Sequence, residues 1–219
     1  VTEIVTPRAI ERGRIITGPD CVAEGTAWLA QIEPRFAQAL AQTGQPPLRL
    51  RGDGFEALFQ AIVSQQVSVA SATAIWSRVE QAGLAQASAV AQASDADLQG
   101  CGLSRPKVRY ARALAEAQID YAALRDVPDA KVIARLTAVC GIGPWTAQIY
   151  AMFALGRADV FAPGDLALQE GVRMLWMLDA RPKDAEMHRL ARRWSPWRSV
   201  AARLLWAYFK SEKDREGLL

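Results

Sequence analysis

One histidine and three cysteines are the only imidazole and thiol groups that the 219 residues offer a transition metal. Cys21, Cys101 and Cys140 are far apart, odd in number and in no CxxC spacing, so neither a disulfide framework nor a zinc site is encoded. The four clustered cysteines of an iron–sulfur cluster are missing, and histidine triads and multi-histidine metal centres fail on count. The lone His188 lies in a helical run and reads as a surface residue. No uninterrupted apolar run approaches the roughly 20 residues of a membrane span, and no basic leader precedes a short apolar segment. A Gly-rich phosphate loop on a strand is also absent, which argues against a nucleotide or dinucleotide site. The expectation is a soluble protein of a reduced compartment, with no membrane association and no cofactor for catalysis.

What is present is apolar and helical. A 51% hydrophobic composition allows a real core, as one compact domain or two tightly joined lobes. The net charge of +3 permits an anionic partner without demanding one. Arg189, Arg192, Arg193, Arg198 and Arg203 are interleaved with Trp194, Trp197 and Trp206. This cluster reads equally as a nucleic-acid surface and as a solvated helix face over an aromatic core. Phe55, Leu58, Phe59, Ile62 and Val63, continuing to Val69, Ala70 and Thr73, predict one long amphipathic helix from about 55 to 81, bracketed by Gly54 and Gly83. Asp20 is placed as the N-cap of a helix through Trp28, Leu29, Ile32 and Phe36, interrupted by Pro34. Ser94 with Asp97 spells a capping box, Pro106 opens a further helix, and short helices follow around 121–125 and 129–138. Ile15, Ile16 and Leu48 to Leu50 are candidates for short extended pieces, and the first fifteen residues carry no committed pattern. The fold class is all-α, with roughly ten helices.

The most informative stretch runs from Leu136 to Ala147. A helix ends near Val139, Gly141 and Gly143 flank one apolar residue, and Pro144 suits the first turn of a helix through Ile149, Met152 and Phe153. Two glycines can take positive φ and bring the backbone close to a partner. The unpaired N–H groups of the new helix then make a phosphate site. Farther on, Asp165 follows Pro163 and Gly164 and precedes the helical spacing of Leu166, Leu168, Val172, Leu175 and Trp176, which puts it at a helix N-terminus. An N-cap role accounts for an Asp so placed.

Gly141-Ile-Gly143, Trp145-Thr-Ala147 and Val160-Phe-Ala-Pro-Gly-Asp165 resemble, in that order, the motifs of the helix-hairpin-helix DNA glycosylases, and within them the 3-methyladenine DNA glycosylase II family. The segments Phe55 to Val69 and Trp194 to Ser199 are similar to the same family, so the resemblance covers roughly residues 50 to 210. It implies a two-lobed helical DNA glycosylase fold: lobe one at about 54–160, including the hairpin at 136–147, and lobe two from about 20–53 plus 161–219. Only about fifty residues precede the long helix, too few for the N-terminal β-rich domain of some relatives, so the expectation is a compact form.

The resemblance also implies residue roles. The hairpin amides of Gly141, Gly143 and Thr146 would hold a phosphate of damaged double-stranded DNA. The carbonyls of Thr137, Val139 and Ile142 would hold a structural Na+ or K+. Asp165 would be catalytic, a carboxylate favoured at a helix N-terminus and placed to stabilise positive charge developing on the sugar. A turn or kink around Ser64-Gln65-Gln66 aligns with the segment that fills the gap left by an extruded base, and Gln66 is the residue placed there, against the alternative of a polar residue on the solvent face of a long helix. Trp206 matches the aromatic that stacks on that base, against the alternative of a core tryptophan. Trp145 stands where bifunctional relatives carry a Schiff-base lysine, which implies hydrolysis without lyase chemistry. Ile149 replaces a Tyr found one turn beyond Trp145 in some relatives, which loosens the base pocket and widens its range. The implied activity is base-excision repair of 3-methyladenine-like and 7-methylguanine-like bases by a monomeric enzyme. Its place would be the cytoplasm, with the nucleoid, in a bacterium, or the nucleus in a eukaryote. The rival reading is a non-catalytic helix-hairpin-helix DNA-binding module, which has no use for a carboxylate beside its phosphate site.

Overall fold

A computed structural model describes residues 13–217. Among them stand thirteen α-helices and one 3-10 turn, with no strand beyond an isolated antiparallel bridge between Ile15 and Arg157. The uncommitted N-terminal stretch lies, over 1–12, outside the described residues; Leu48 to Leu50 is irregular rather than paired.

Pro19 opens α1 (Pro19–Ile32), so Gly18 is the N-cap and Asp20 sits inside the first turn, not at the cap position assigned from sequence. Pro34 then starts α2 (Pro34–Thr43). The long helix expected over 55–81 is two helices, α3 (Phe55–Ser64) and α4 (Val69–Gln81). Two residues break it. Gln66 takes φ +56°, and Ser68 caps α4 by accepting the Ser71 amide at 3.2 Å. The register reads as continuous only by coincidence: Val69, Ala70 and Thr73, which extend it, are exposed, and α4 buries Ala72, Ile75, Trp76 and Val79 instead.

The chain continues through α5 (Ala87–Gln92), α6 (Asp95–Gly100), α7 (Arg105–Glu116), α8 (Tyr121–Leu124), α9 (Asp129–Thr137) and α10 (Pro144–Phe153). The capping box forms: Ser94 accepts the Asp97 amide and Asp97 accepts the Ser94 amide. α11 (Leu166–Leu175), α12 (Asp184–Ala191), the turn Arg192–Trp194 and α13 (Arg198–Glu216) complete the fold.

Packing groups the helices. α7 lies against α3, α5 and α6, while α10 packs on α9 and α3. Separately, α13 packs on α1, α2 and α11. Phe36, Trp176 and Trp194 form an edge-on cluster there, with ring centroids 5.3–5.8 Å apart. Arg203 of α13 joins the groups: nearly fully buried, it donates to the carbonyls of Met152 in α10, Leu48 and Ser199. Arg198 pairs with Asp159. Two of the five clustered arginines are therefore structural, because each meets acceptors that the apolar interface would otherwise leave unpaired. Arg192 and Arg193 remain exposed.

Candidate active site

Asp165 is the N-cap of α11, and its Oδ1 accepts the Leu168 amide at 2.9 Å. The same oxygen accepts the indole N–H of Trp206 at 3.1 Å, and Oδ2 accepts the indole N–H of Trp145 at 2.8 Å. Three donors from three helices thus fix one half-buried carboxylate. The loop before it is buried over 160–163 and is held from beneath by Gln169, whose Nε2 donates to the Pro163 carbonyl at 2.8 Å and to Asp184 at 3.1 Å. Asp159, the other acid of this stretch, is taken up by both nitrogens of Arg198 at 2.8 and 2.9 Å and by Ser195 at 2.7 Å. His188 is exposed.

Trp145 stands in the first turn of α10 and is 46% exposed. Trp206 is half-buried, with one neighbour, Phe153, at 5.7 Å between ring centroids. Trp206 therefore packs against the core while part of its surface stays accessible. A cleft of about 800 Å³ lies between α3, α4 and α10, lined among others by Trp145, Ile149, Gln60, Ser64 and Trp76. Ile149 faces this cleft, whereas Trp206 and Asp165 do not line it. Trp145 alone of the four belongs to both the cleft and the carboxylate's surroundings.

The hairpin between α9 and α10 assigns its glycines different tasks. Gly141 takes φ +93°, and a Cβ there would meet the Tyr110 ring at 2.3 Å. Gly143 has an ordinary φ of −82°, so the positive φ anticipated at both positions occurs only at Gly141. Around Gly143 there is open space, as close approach of a ligand requires. Helix α9 ends at Thr137, two residues short of the expected end. The first intrahelical bond of α10 is Ala147 N–H to the Gly143 carbonyl, so the Trp145 and Thr146 amides precede it as free helix N-terminal donors.

The hairpin borders a concavity of about 590 Å³ with Gln65, Tyr110 and Thr137. On its carbonyl side, Val139 accepts the Ile142 amide at 3.1 Å, while the Thr137 and Ile142 carbonyls accept no hydrogen bond among the described residues. No group of three or more His, Cys, Asp or Glu side chains suited to a metal occurs among the described residues. Gln66, exposed at its left-handed position, is brought to the hairpin by its neighbour: Gln65 Nε2 donates to the Gly141 carbonyl at 3.0 Å. The resemblance places Gln65 in a turn or kink beside Gln66 but gives it no role of its own. Sequence reasoning missed buried Lys107, whose Nζ donates to the Val63 carbonyl at 2.7 Å. No helix among the described residues is long and apolar enough to cross a membrane.

Among known proteins, a DNA-3-methyladenine glycosidase of Bacillus halodurans superposes with a TM-score of 0.78 at 30% identity, covering 93% of this chain and 94% of that one. The 3-methyladenine DNA glycosylase Mag1 of Schizosaccharomyces pombe, solved with abasic DNA, gives 0.72 at 26% identity over 84% and 95%. DNA-3-methyladenine glycosylase 2 of Escherichia coli is 32% identical over 197 residues, 80% of this chain and 67% of its own length. Across curated relatives from Bacillus subtilis and Schizosaccharomyces pombe the chain spans 56% to 89% of their lengths. The family described as HhH-GPD superfamily base excision DNA repair protein matches residues 59–196, which include the hairpin, Asp165 and the loop between α3 and α4. With that match over more than half its length, the chain belongs to the HhH-GPD superfamily of base excision DNA repair proteins.

Proposed function

We propose that the protein is a monofunctional DNA glycosylase that hydrolyses the N-glycosidic bond of alkylated bases in damaged double-stranded DNA. The observation that carries this reading is the carboxylate of Asp165, held by Leu168, Trp145 and Trp206 beside the free amides of α10. An anion so placed has no use in a module that only grips phosphates, because it repels them. It has a use where positive charge develops. As the C1′–N bond breaks, its electron pair leaves with the base and the sugar becomes oxocarbenium-like; a fixed carboxylate stabilises that charge without reorganising. Water then adds to C1′ and releases a proton.

The donors around Asp165 favour electrostatic stabilisation over proton abstraction as its main task, since Oδ1 already accepts two hydrogen bonds and Oδ2 one. Such an enzyme acts best on bases that leave readily. Alkylation at a ring nitrogen gives the base a formal positive charge and makes it depart neutral, so no general acid is required. Trp206 adds cation–π attraction of about 0.5–2 kcal/mol for a stacked cationic base. Ile149 supplies bulk without an electron-rich face, consistent with a broad range of lesions. No lysine stands at Trp145, so the sugar is not attacked by an amine there.

The DNA would be gripped by the amides of Gly141, Gly143 and Thr146, with the Trp145 amide beside them and Gln66 entering the gap left by the extruded base. The free carbonyls of Thr137 and Ile142, with the second lone pair of Val139, fit a monovalent cation, and Na+ or K+ there would bring positive charge opposite the phosphate. Base release from duplexes carrying single modified bases tests the proposal with Asp165→Asn. The expected result is loss of excision with DNA binding kept or tightened; near wild-type excision by the variant would overturn it.

A further inference from the structure

The loop that carries Gln66 and the hairpin meet through side chains that no catalytic step uses. Gln65 Nε2 donates to the Gly141 carbonyl at 3.0 Å, bridging residues 76 apart in sequence. Behind this bridge runs α7. Its Lys107 reaches the Val63 carbonyl at the C-terminal end of α3, and three residues along the same face Tyr110 fills the space under Gly141. Burial pushes the Lys107 amine below its usual range. One helix thus backs both loops, and Gln65 closes the triangle on the outer side.

We infer that Gln65 is a positioning residue that couples the phosphate grip of the hairpin to the entry of Gln66 into the base stack. The physical reason is geometric. Gln66 sits in a left-handed conformation that a non-glycine residue adopts only when its surroundings hold it there. The backbone immediately before it is anchored to the carbonyl of Gly141, the residue whose own left-handed turn sets the direction of the hairpin. Fixing the hairpin on a phosphate therefore fixes the distance from that phosphate to the Gln66 side chain. Without the bridge, the loop at 65–68 is free to settle at several distances and fills the gap less often.

This inference rests on the reading of Gly143 as phosphate site and Gln66 as gap-filler, and its test separates the two. The probe is a duplex with a tetrahydrofuran abasic analogue opposite 2-aminopurine, whose fluorescence reports gap filling at saturating protein. Methylphosphonates scanned along the strand locate the gripped phosphate. For Gln65→Met, which keeps the size and removes the donor, and for Gln65→Ala, excision kcat should fall about fivefold, as loss of one hydrogen bond of ordinary net strength implies. KM and thermal midpoint should stay near wild type. In the wild type, neutralising the gripped phosphate should reduce gap filling; in both variants gap filling should be lower already and indifferent to that change. Wild-type kcat with the phosphate dependence intact in Gln65→Met overturns the coupling. If instead Gln66→Ala leaves the fluorescence change untouched, or no methylphosphonate weakens wild-type binding, the underlying assignment of wedge and grip is what fails, and the coupling falls with it.

Discussion

At the scale of the residue, Asp165 carries a helix cap seen in the structure and the catalytic role proposed for it. Its place after Pro163 and Gly164 marks an N-cap from local pattern alone, and the family resemblance adds catalysis; the structure accommodates both, since one oxygen meets Leu168 and the other is left to Trp145. What the sequence could not display is that both nearby tryptophans point their N–H groups at this carboxylate. Nothing in the spacing of residues 145, 165 and 206 reports an indole edge, because the three come together only through packing of α10, α11 and α13. A consequence is that Trp145→Phe, which keeps an aromatic ring at the cleft but removes the donor, should slow excision about tenfold or more, the effect of losing a hydrogen bond to a charged group. Unfolding in urea should show a loss below about 1 kcal/mol, because Trp145 is 46% exposed. If single-turnover excision by Trp145→Phe equals wild type, the indole is a wall of the cleft and no more.

Among the elements, the hairpin shows how much a motif leaves unsaid. Gly141 and Gly143 look equivalent in sequence, yet only Gly141 has left-handed backbone and a ring against it. Gly141→Ala should therefore destabilise the fold by about 2–4 kcal/mol, combining backbone strain with overlap on Tyr110. The methyl group of Gly143→Ala meets nothing and should leave the denaturation midpoint almost unchanged while weakening DNA binding, since it would stand on the open side proposed for the phosphate. Denaturation and binding curves for the two variants check this contrast; equal stability losses would show that the open side of Gly143 is not the approach face. The break between α3 and α4 was similarly half legible. The family resemblance implies a turn or kink around Ser64-Gln65-Gln66, and Ser68 is a good capping residue, but Val69, Ala70 and Thr73 extend the register of Phe55 to Val63 and hide the break from a reading by periodicity, although all three are exposed. Arg203 was read with the surface arginines for a related reason: a charge buried among carbonyls of Met152, Leu48 and Ser199 cannot be told from an exposed one by sequence.

For the whole molecule, helical class and the order of the motifs were readable because periodicity and caps are local, while the joints between helix groups were not. One joint has a measurable signature. Tyr150 of α10 is buried, and its hydroxyl oxygen accepts the amide of Gly54, the N-cap of α3, at 2.9 Å. Burial pushes this phenol up to about 12, with the Gly54 hydrogen bond opposing and Asp53 adding to the rise. Burial raises Tyr121 as well. The unfolded chain thus loses these protons from about pH 10 upward while the folded chain retains them. Stability should hold up to about pH 10 and then fall toward pH 12, by on the order of 2 kcal/mol for Tyr150. Urea titrations between pH 9 and 12 should show a smaller decline for Tyr150→Phe; an identical slope would mean that this phenol does not set the alkaline limit. Finally, the cap formed by Asp165 and the catalytic role proposed for it bear together on descent. Asparagine caps helices about as well as aspartate, and the two are one base change apart in the genetic code. A lineage can therefore give up base release in a single step and keep a folded chain that still grips DNA, so silent descendants of such an enzyme are within easy reach of mutation.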